Sequence, residues 1–281
     1  MRRGFGWELL LLGLALVLLW YGYGTSSGEP AGFELSSPEE GVVRVVSWNV
    51  GASVADGGVP LLPEAEAHVV SVLESLTPSM CLLQEVRDPD QFERLLDALG
   101  REWRGVLGAS YEGRRVAVLA PTRALRTLRG SAGDGSSLGF QVSLPGDLRL
   151  TGVVVHADAL SSRLRNEQVG QAVELVDDAD GPVLLAGDLN IDLDLDKRRD
   201  LFSDDEHRDV ETYNYLGARL VDATLGTGST AEPDRRLDYV FVSGGWCEVV
   251  TAGPWRRQRA PGMDHDPVVV DLRPGATAIS R

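Results

Sequence analysis

Hydrophobic and polar positions change rhythm several times along this chain, and each change marks an element. The first block is apolar throughout. Arg2 and Arg3 precede an uncharged run from Leu9 to Trp20 that extends to Tyr23, and Glu8 is the only charge once Phe5 to Trp7 are included. That length, bracketed by Trp7, Trp20, Tyr21 and Tyr23, suits a transmembrane helix with interfacial aromatics. A helix packed in a soluble core would not be apolar on every side. Residues 1–24 therefore read as an N-terminal membrane anchor, embedded through residues 5–24. A cleaved signal peptide is the alternative, because Gly22, Gly24 and Ser26 supply small residues near a cut. The arginines lie before the run, and Glu29, Glu34, Glu39 and Glu40 lie after it. That asymmetry puts the N-terminus in the cytoplasm and the main domain outside, anchored or, after cleavage, secreted. Residues 25–41, rich in Ser, Gly, Pro and Glu, read as a flexible linker.

From residue 42 to 281 short apolar runs alternate with helical patterns. Val42–Val50 and Met80–Val86 are continuous apolar runs of strand length. Between them Glu64–Leu76 has helical periodicity and stops before Thr77-Pro78. Gln91–Leu99 is a second helix, capped by Gly100. A strand-rich middle follows: Trp103–Ala109, Arg115–Ala120, Leu125–Gly130, Leu138–Leu144 and Leu148–His156. Pro145-Gly146-Asp147 makes the last two a hairpin. Ser161–Val176 reads as a helix, Pro182–Ala186 as a buried strand, and Asp192–Asp209 as a polar stretch. Leu237–Ser243, Cys247–Ala252 and Pro267–Leu272 close the chain as strands. Hairpin neighbours mixed with helical crossovers predict an α/β fold of two packed sheets flanked by helices.

Composition narrows the function. The formal charge is −15 and the pI about 4.7, a poor match to a dedicated nucleic-acid-binding protein but no bar to an enzyme with a locally basic cleft. Cys81 and Cys247 are not in a CxxC, which argues against a thiolate zinc site, and their apolar surroundings read as buried free thiols rather than a disulfide.

Polar clusters close the apolar runs: Ser47-Trp48-Asn49, Gln84-Glu85, Val155-His156, Gly187-Asp188-Leu189-Asn190, Leu237-Asp238-Tyr239 and Asp264-His265. Scaffolds place chemistry at strand ends. Carboxylates, amides and imidazoles without a cysteine cluster suit a hard cation and a phosphate ester. Singly, each has an ordinary reading: a solvated glutamate, an Asx turn, a structural histidine. Asp188 and Asn190, two apart in an extended segment, point to the same side. Trp48 reads as core packing, and His68 and His207 as structural.

In this order and spacing the clusters resemble the endonuclease/exonuclease/phosphatase superfamily, over roughly Val43 to Leu272. The resemblance implies a four-layer α/β sandwich with two mixed sheets, and a metal-dependent phosphoesterase, deoxyribonuclease-like or neutral-sphingomyelinase-like. It implies Mg²⁺, or Mn²⁺, held by Glu85 with Asn49 and Asp264 on the metal side. Asp188 would orient or deprotonate the attacking water. Asn49, Asn190 and His156 would bind the phosphate, His156 as donor or general acid, and Asp238 would fix His265. Gly51, where some relatives place an aspartate, points to a single metal, and Met263 replaces a serine common before the Asp-His pair. Asp192 and the Arg235-Arg236-Leu237-Asp238-Tyr239 sequence depart from inositol polyphosphate phosphatases, and His156 departs from apurinic endonucleases.

The expected substrate is a phosphodiester, nucleic acid ahead of phospholipid, with no obligate protein partner. Arg163, Arg165, Arg235, Arg236, Arg256, Arg257 and Arg259 read as a basic rim that gathers a polyanion, or singly as solvated residues. The Asp192-Asp194-Asp196 series lacks the glycine and glutamate of a calcium loop and reads as a solvated acidic loop. The rival from another class is a catalytically inactive membrane-tethered binding module, which predicts eroded metal and Asp–His positions.

Overall fold

The computed structural model describes residues 35–53, 57–122, 124–128, 134–194, 207–256 and 258–275. The expected anchor, the first part of the linker, the end of the Leu125–Gly130 run, Asp196 to Arg199 and Arg257 lie outside the described residues. Among the described residues no helix is long and apolar enough to cross a membrane.

Twelve strands and four α-helices are described. In chain order they are β1 Val43–Asn49, α1 Glu66–Leu76, β2 Met80–Val86, α2 Pro89–Leu99, β3 Arg104–Tyr111, β4 Arg114–Ala120, β5 Leu125–Thr127, β6 Ser137–Leu144, β7 Leu148–His156, α3 Ser162–Glu174, β8 Val183–Asp188, α4 Asp209–Gly217, β9 Val221–Asp222, β10 Asp238–Val242, β11 Cys247–Pro254 and β12 Val268–Pro274. Two mixed six-stranded sheets result, ordered β11-β12-β1-β2-β4-β3 and β5-β6-β7-β8-β10-β9. Each sheet contains one parallel pair, β1 with β2 and β7 with β8, and every other pairing is antiparallel. A helix lies between the strands of each parallel pair, α1 in the first and α3 in the second, because parallel strands need a crossover connection.

The burial pattern follows from that topology. β1, β2 and β8 are buried at every position, as parallel strands covered on both faces must be. The edge strands β3 and β11 are largely exposed or half-buried. The main core lies between the sheets, where Val45, Leu82 and Val118 of the first meet Phe140, Val154 and Val240 of the second. A second cluster packs Val169, Val173 and Leu216 of α3 and α4 against Val155, Leu185 and Phe241. Each fully buried aliphatic side chain contributes roughly 1.5–3 kcal/mol. The Arg44 guanidinium pins β1 to β12 through a buried bidentate pair with Asp271, at 2.7 and 2.8 Å, and also donates to the Leu76 carbonyl at 3.0 Å.

Local chemistry fixed the boundaries. Asp88 caps α2 by accepting from the Gln91 amide at 2.8 Å, and Pro89 takes the first helical position, so the helix begins two residues before its apolar pattern. Ser161 caps α3 through the Leu164 amide. β8 runs two residues past the expected Ala186 and carries Asp188 inside the sheet. Helix α4 and strand β9 were not expected. Asp209–Gly217 follows directly on a polar stretch, and its fully buried positions, Asp209, Thr212 and Leu216, include a single aliphatic residue. Cys81 is buried and Cys247 half-buried, and both thiols are free, as their surroundings implied.

Candidate active site

The parallel pairs of the two sheets bring their chemistry to one place. Asn49 is opposite Gln84 at the end of the first pair, and His156 is opposite Asp188 at the end of the second. Asp238 begins β10 directly across from Asp188. Six of the eight expected residues, Asn49, Glu85, His156, Asp188, Asp238 and His265, are buried and lie together.

Asn49 ties the sheets to one another. Its Nδ2 donates to Glu85 Oε1 at 3.1 Å and to Asp188 Oδ2 at 3.0 Å, while its Oδ1 accepts from the Gly51 amide at 3.0 Å. Asp188 Oδ2 is also 3.6 Å from His265 Nε2 and 3.8 Å from His156 Nε2. Both distances slightly exceed a direct hydrogen bond. His265 Nδ1 meets Asp238 Oδ2 at 2.8 Å. Thr230 Oγ1 donates to that same carboxylate oxygen at 2.7 Å and accepts from the Leu237 and Asp238 amides at 3.1 Å each.

Backbone strain serves this geometry. Glu85 adopts φ of 63°, in the left-handed region, at a point where β2 carries one extra residue against β4 between Leu83 and Val86. That bulge re-aims the glutamate. Gly51 makes room for it, since a Cβ there would stand 2.0 Å from Glu85 Oε2. The missing aspartate at position 51 thus has a steric reason. Gly187 has a similar one, because its Cβ would meet the Val155 carbonyl oxygen at 1.9 Å where β7 and β8 pair.

Burial and neighbouring charge divide the two histidines. His156 is pushed down to about 4 by burial first, with Arg114 and His265 acting in the same direction and Asp188 opposing. It is neutral at pH 7, an N–H donor rather than a charged acid. Burial also works against the charge on His265, but Asp238, Asp188 and the Asp238 hydrogen bond prevail and raise it to about 10. His265 is therefore an imidazolium at neutral pH. Glu85 is raised by burial and eased by Arg114 and Asn49. Asp264, half-buried, is raised by burial first, with the charge of His265 opposing and those of Glu85 and Asp188 adding to the rise.

Two groupings suit a cation differently. Asp188, Asp238 and His265 each offer an atom within 4.8 Å of the others. An imidazolium repels a cation, however, and Nδ1 is already committed to Asp238. Glu85 Oε2 is the better oxygen: among the described residues it is buried and accepts no hydrogen bond, with the Arg114 Nε 3.3 Å away as its nearest ion-pair partner. That orphaned oxygen, with Asp188 bound to the same Asn49 amide, fits a hard divalent ion.

Other expected residues have different surroundings. Asn190, at φ of 51°, donates from Nδ2 to the Ala157 carbonyl at 3.0 Å, and its amide bonds Asp188 Oδ1. Trp48 is core, donating to the His265 carbonyl, and His68 packs edge-on against it. The basic rim largely dissolves into ion pairs. Arg165 is wholly buried against Asp209 at 3.0 Å, Arg235 meets Asp192 at 2.9 Å, Arg236 meets Asp222 at 2.6 Å, and Arg259 meets Glu232 at 2.7 Å. Asp192 is correspondingly buried, not the start of a solvated loop. Arg114 and Thr230 had not been singled out. Arg114 sits at a hairpin tip that looked like ordinary turn sequence, and nothing in the sequence marks a threonine eight residues before Asp238.

Carboxylates, amides and an imidazolium converging from the strand ends of two stacked sheets define a hydrolase of phosphate esters. The sequence model of the Endonuclease/Exonuclease/phosphatase family matches residues 46–259, and the chain belongs to that family, whose members are hydrolytic phosphoesterases, generally dependent on a divalent metal. Solved structures share the fold at low identity. The human Nocturnin catalytic domain with bound sulfate has a TM-score of 0.63 at 16% identity, covering 85% of this chain and 96% of that one. TDP2 of D. rerio complexed with a single-strand DNA product has a TM-score of 0.61 at 16% identity, covering 83% and 99%. The mannosyl-6-phosphatase of Bacteroides thetaiotaomicron has a TM-score of 0.58 at 16% identity, covering 82% and 99%. A comparison with the curated proteins finds no sequence match.

Proposed function

We propose that the protein is a Mg²⁺-dependent phosphodiesterase acting on nucleic acid. The observation that carries the hydrolytic reading is the position of Asp188 Oδ2, 3.0 Å from Asn49 Nδ2 and just beyond direct contact with two imidazoles, one neutral and one charged. A water or phosphoryl oxygen beside Asp188 would meet both imidazoles. Glu85, with Asn49 and Asp264, would hold the cation, Mg²⁺ or Mn²⁺. A divalent ion there polarises the phosphoryl group and neutralises charge that develops on it.

The chain's own residues supply the rest. Asp188 accepts a proton from water as its oxygen forms the new bond to phosphorus and the ester P–O bond breaks with its electrons leaving on the ester oxygen. His265, kept charged by Asp238, donates to a non-bridging oxygen, and neutral His156 donates a second hydrogen bond. Aimed donors of this kind are usually the largest catalytic contribution. Asn49 holds Asp188 and Glu85 in register. Nucleic acid is favoured by the structural similarity to TDP2 of D. rerio complexed with a single-strand DNA product. Residues 5–24 would anchor this domain outside the membrane.

One assay tests the reaction and the substrate together. DNA, RNA, sphingomyelin and inositol phosphates are offered with and without chelator, beside Glu85→Ala and Asp188→Asn. Metal-dependent cleavage of nucleic acid, lost by at least about 100-fold in both variants, is expected. Preferential cleavage of sphingomyelin would move the substrate to phospholipid. No metal binding and no cleavage of any substrate would favour the binding module instead. Membrane fractionation of the full chain against a chain lacking residues 1–24 tests the anchor.

A further inference from the structure

Arg114 opens β4 at the tip of the β3–β4 hairpin, opposite Tyr111. Its Nε lies 3.3 Å from Glu85 Oε2, and its Nη2 donates to the Gly58 carbonyl. The side chain is 25% exposed, so its outer edge faces solvent at the mouth of the site. The hairpin is braced from its other strand, where Tyr111 Oη donates to Asp158 Oδ2 at 2.8 Å, two residues after His156. Arg114 therefore reaches Glu85 from a hairpin that is tied to the segment after β7.

The oxygen it compensates is the one best suited to a cation. The other arginines around the site cannot leave their partners without stranding a buried carboxylate: Arg165 would abandon Asp209, Arg235 would abandon Asp192, and Arg236 would abandon Asp222. For Arg114 alone among these, a bound ion would replace the charge it withdraws. Resting on the metal-dependent phosphoesterase reading, we propose that Arg114 and the cation exchange at Glu85 Oε2, and that the displaced guanidinium turns outward to grip the non-bridging oxygens of the substrate phosphate. A planar guanidinium matches a phosphate with two parallel N–H donors. Two cations sharing one carboxylate oxygen repel each other, so ion binding itself drives the turn.

The test needs no turnover. Mn²⁺ binding to the intact protein is followed by the electron spin resonance of the free ion, and inorganic phosphate binding by calorimetry at saturating Mg²⁺. Arg114→Gln is expected to bind Mn²⁺ several-fold tighter, because its competitor is gone. It should bind phosphate about 10-fold or more weaker, the loss of one charge-assisted bidentate contact. The Michaelis constant rises correspondingly, with little change in kcat. Arg114→Lys keeps the charge without the fork and should fall between, which guards against misfolding of the glutamine variant. Unchanged Mn²⁺ and phosphate affinities in both variants would overturn the proposal while leaving the phosphoesterase reading intact, and weaker Mn²⁺ binding would show Arg114 to be a prop for Glu85. Mn²⁺ binding that survives Glu85→Ala would overturn both the exchange and the metal role given to Glu85.

Discussion

Substituting alanine for Gly51 separates the position of Glu85 from its chemistry. The new Cβ would lie 2.0 Å from Oε2 and 2.6 Å from Cδ of Glu85, whereas ordinary contact begins near 3.4 Å. The carboxylate must therefore retreat by about 1.4 Å, from 2.0 to 3.4 Å. It cannot do so and keep Oε1 at 3.1 Å from Asn49 Nδ2. Because Asn49 also holds Asp188, the disturbance passes to the second sheet. A misplacement of about 1 Å costs on the order of 100-fold in rate, and the strained hydrogen bond about 0.5–1.5 kcal/mol of stability. The expected result is a kcat/KM lower by roughly 100-fold, a higher Mg²⁺ requirement and a modest drop in the unfolding midpoint. Gly170→Ala is the control: it lies within α3 with nothing near its Cβ position, so it should gain up to about 1 kcal/mol and leave activity unchanged. The comparison uses initial rates across a Mg²⁺ series with urea unfolding of each variant. A Gly51→Ala enzyme within about three-fold of the parent, with the same Mg²⁺ dependence, would refute the packing argument.

Other expectations follow from the same geometry. His265 is raised to about 10, so between its unfolded value near 6.5 and about 10 the folded state holds a proton the unfolded chain has lost. Its stabilisation is complete below pH 6.5 and disappears as pH climbs through 10; urea unfolding across that range should show the decline, and Asp238→Asn should abolish most of it. His156, lowered to about 4, has the opposite sense: stability is retained above 6.5 and lost as pH falls toward 4, where the unfolded chain binds a proton the folded one refuses. His156→Gln should flatten that acid limb in the same titration. Asp209→Ala should cost about 3–5 kcal/mol by stranding the wholly buried Arg165, measured by urea denaturation.

The strand ends were legible because chemistry there interrupts a strong apolar pattern. Leu148–His156 and Met80–Val86 have the bounds their hydrophobic runs predict, and the residues that close them meet in space. What escaped were features without local contrast. Asp192 and Arg235 look like solvated charges until the fold brings them to 2.9 Å. Arg114 acquires meaning only through a bulge in the neighbouring strand, and α4 lacks a strong amphipathic stripe. Gly51 looked like a lost ligand, but pairwise space-filling with Glu85, thirty-odd residues away, determines it.

The closing strands of the first sheet carry a consequence for biosynthesis. β1, at the start of the domain, pairs with β12, at its end, and His265 precedes β12 by only a few residues. Such long-range pairing folds slowly, because the intervening chain must be organised first. A nascent chain emerging from the ribosome therefore carries Asn49, Glu85, His156 and Asp188 long before the imidazolium and the strand that seat them exist. A chain whose synthesis has not reached His265 and β12 therefore carries the carboxylates and amides of the site without the imidazolium and the strand that complete it.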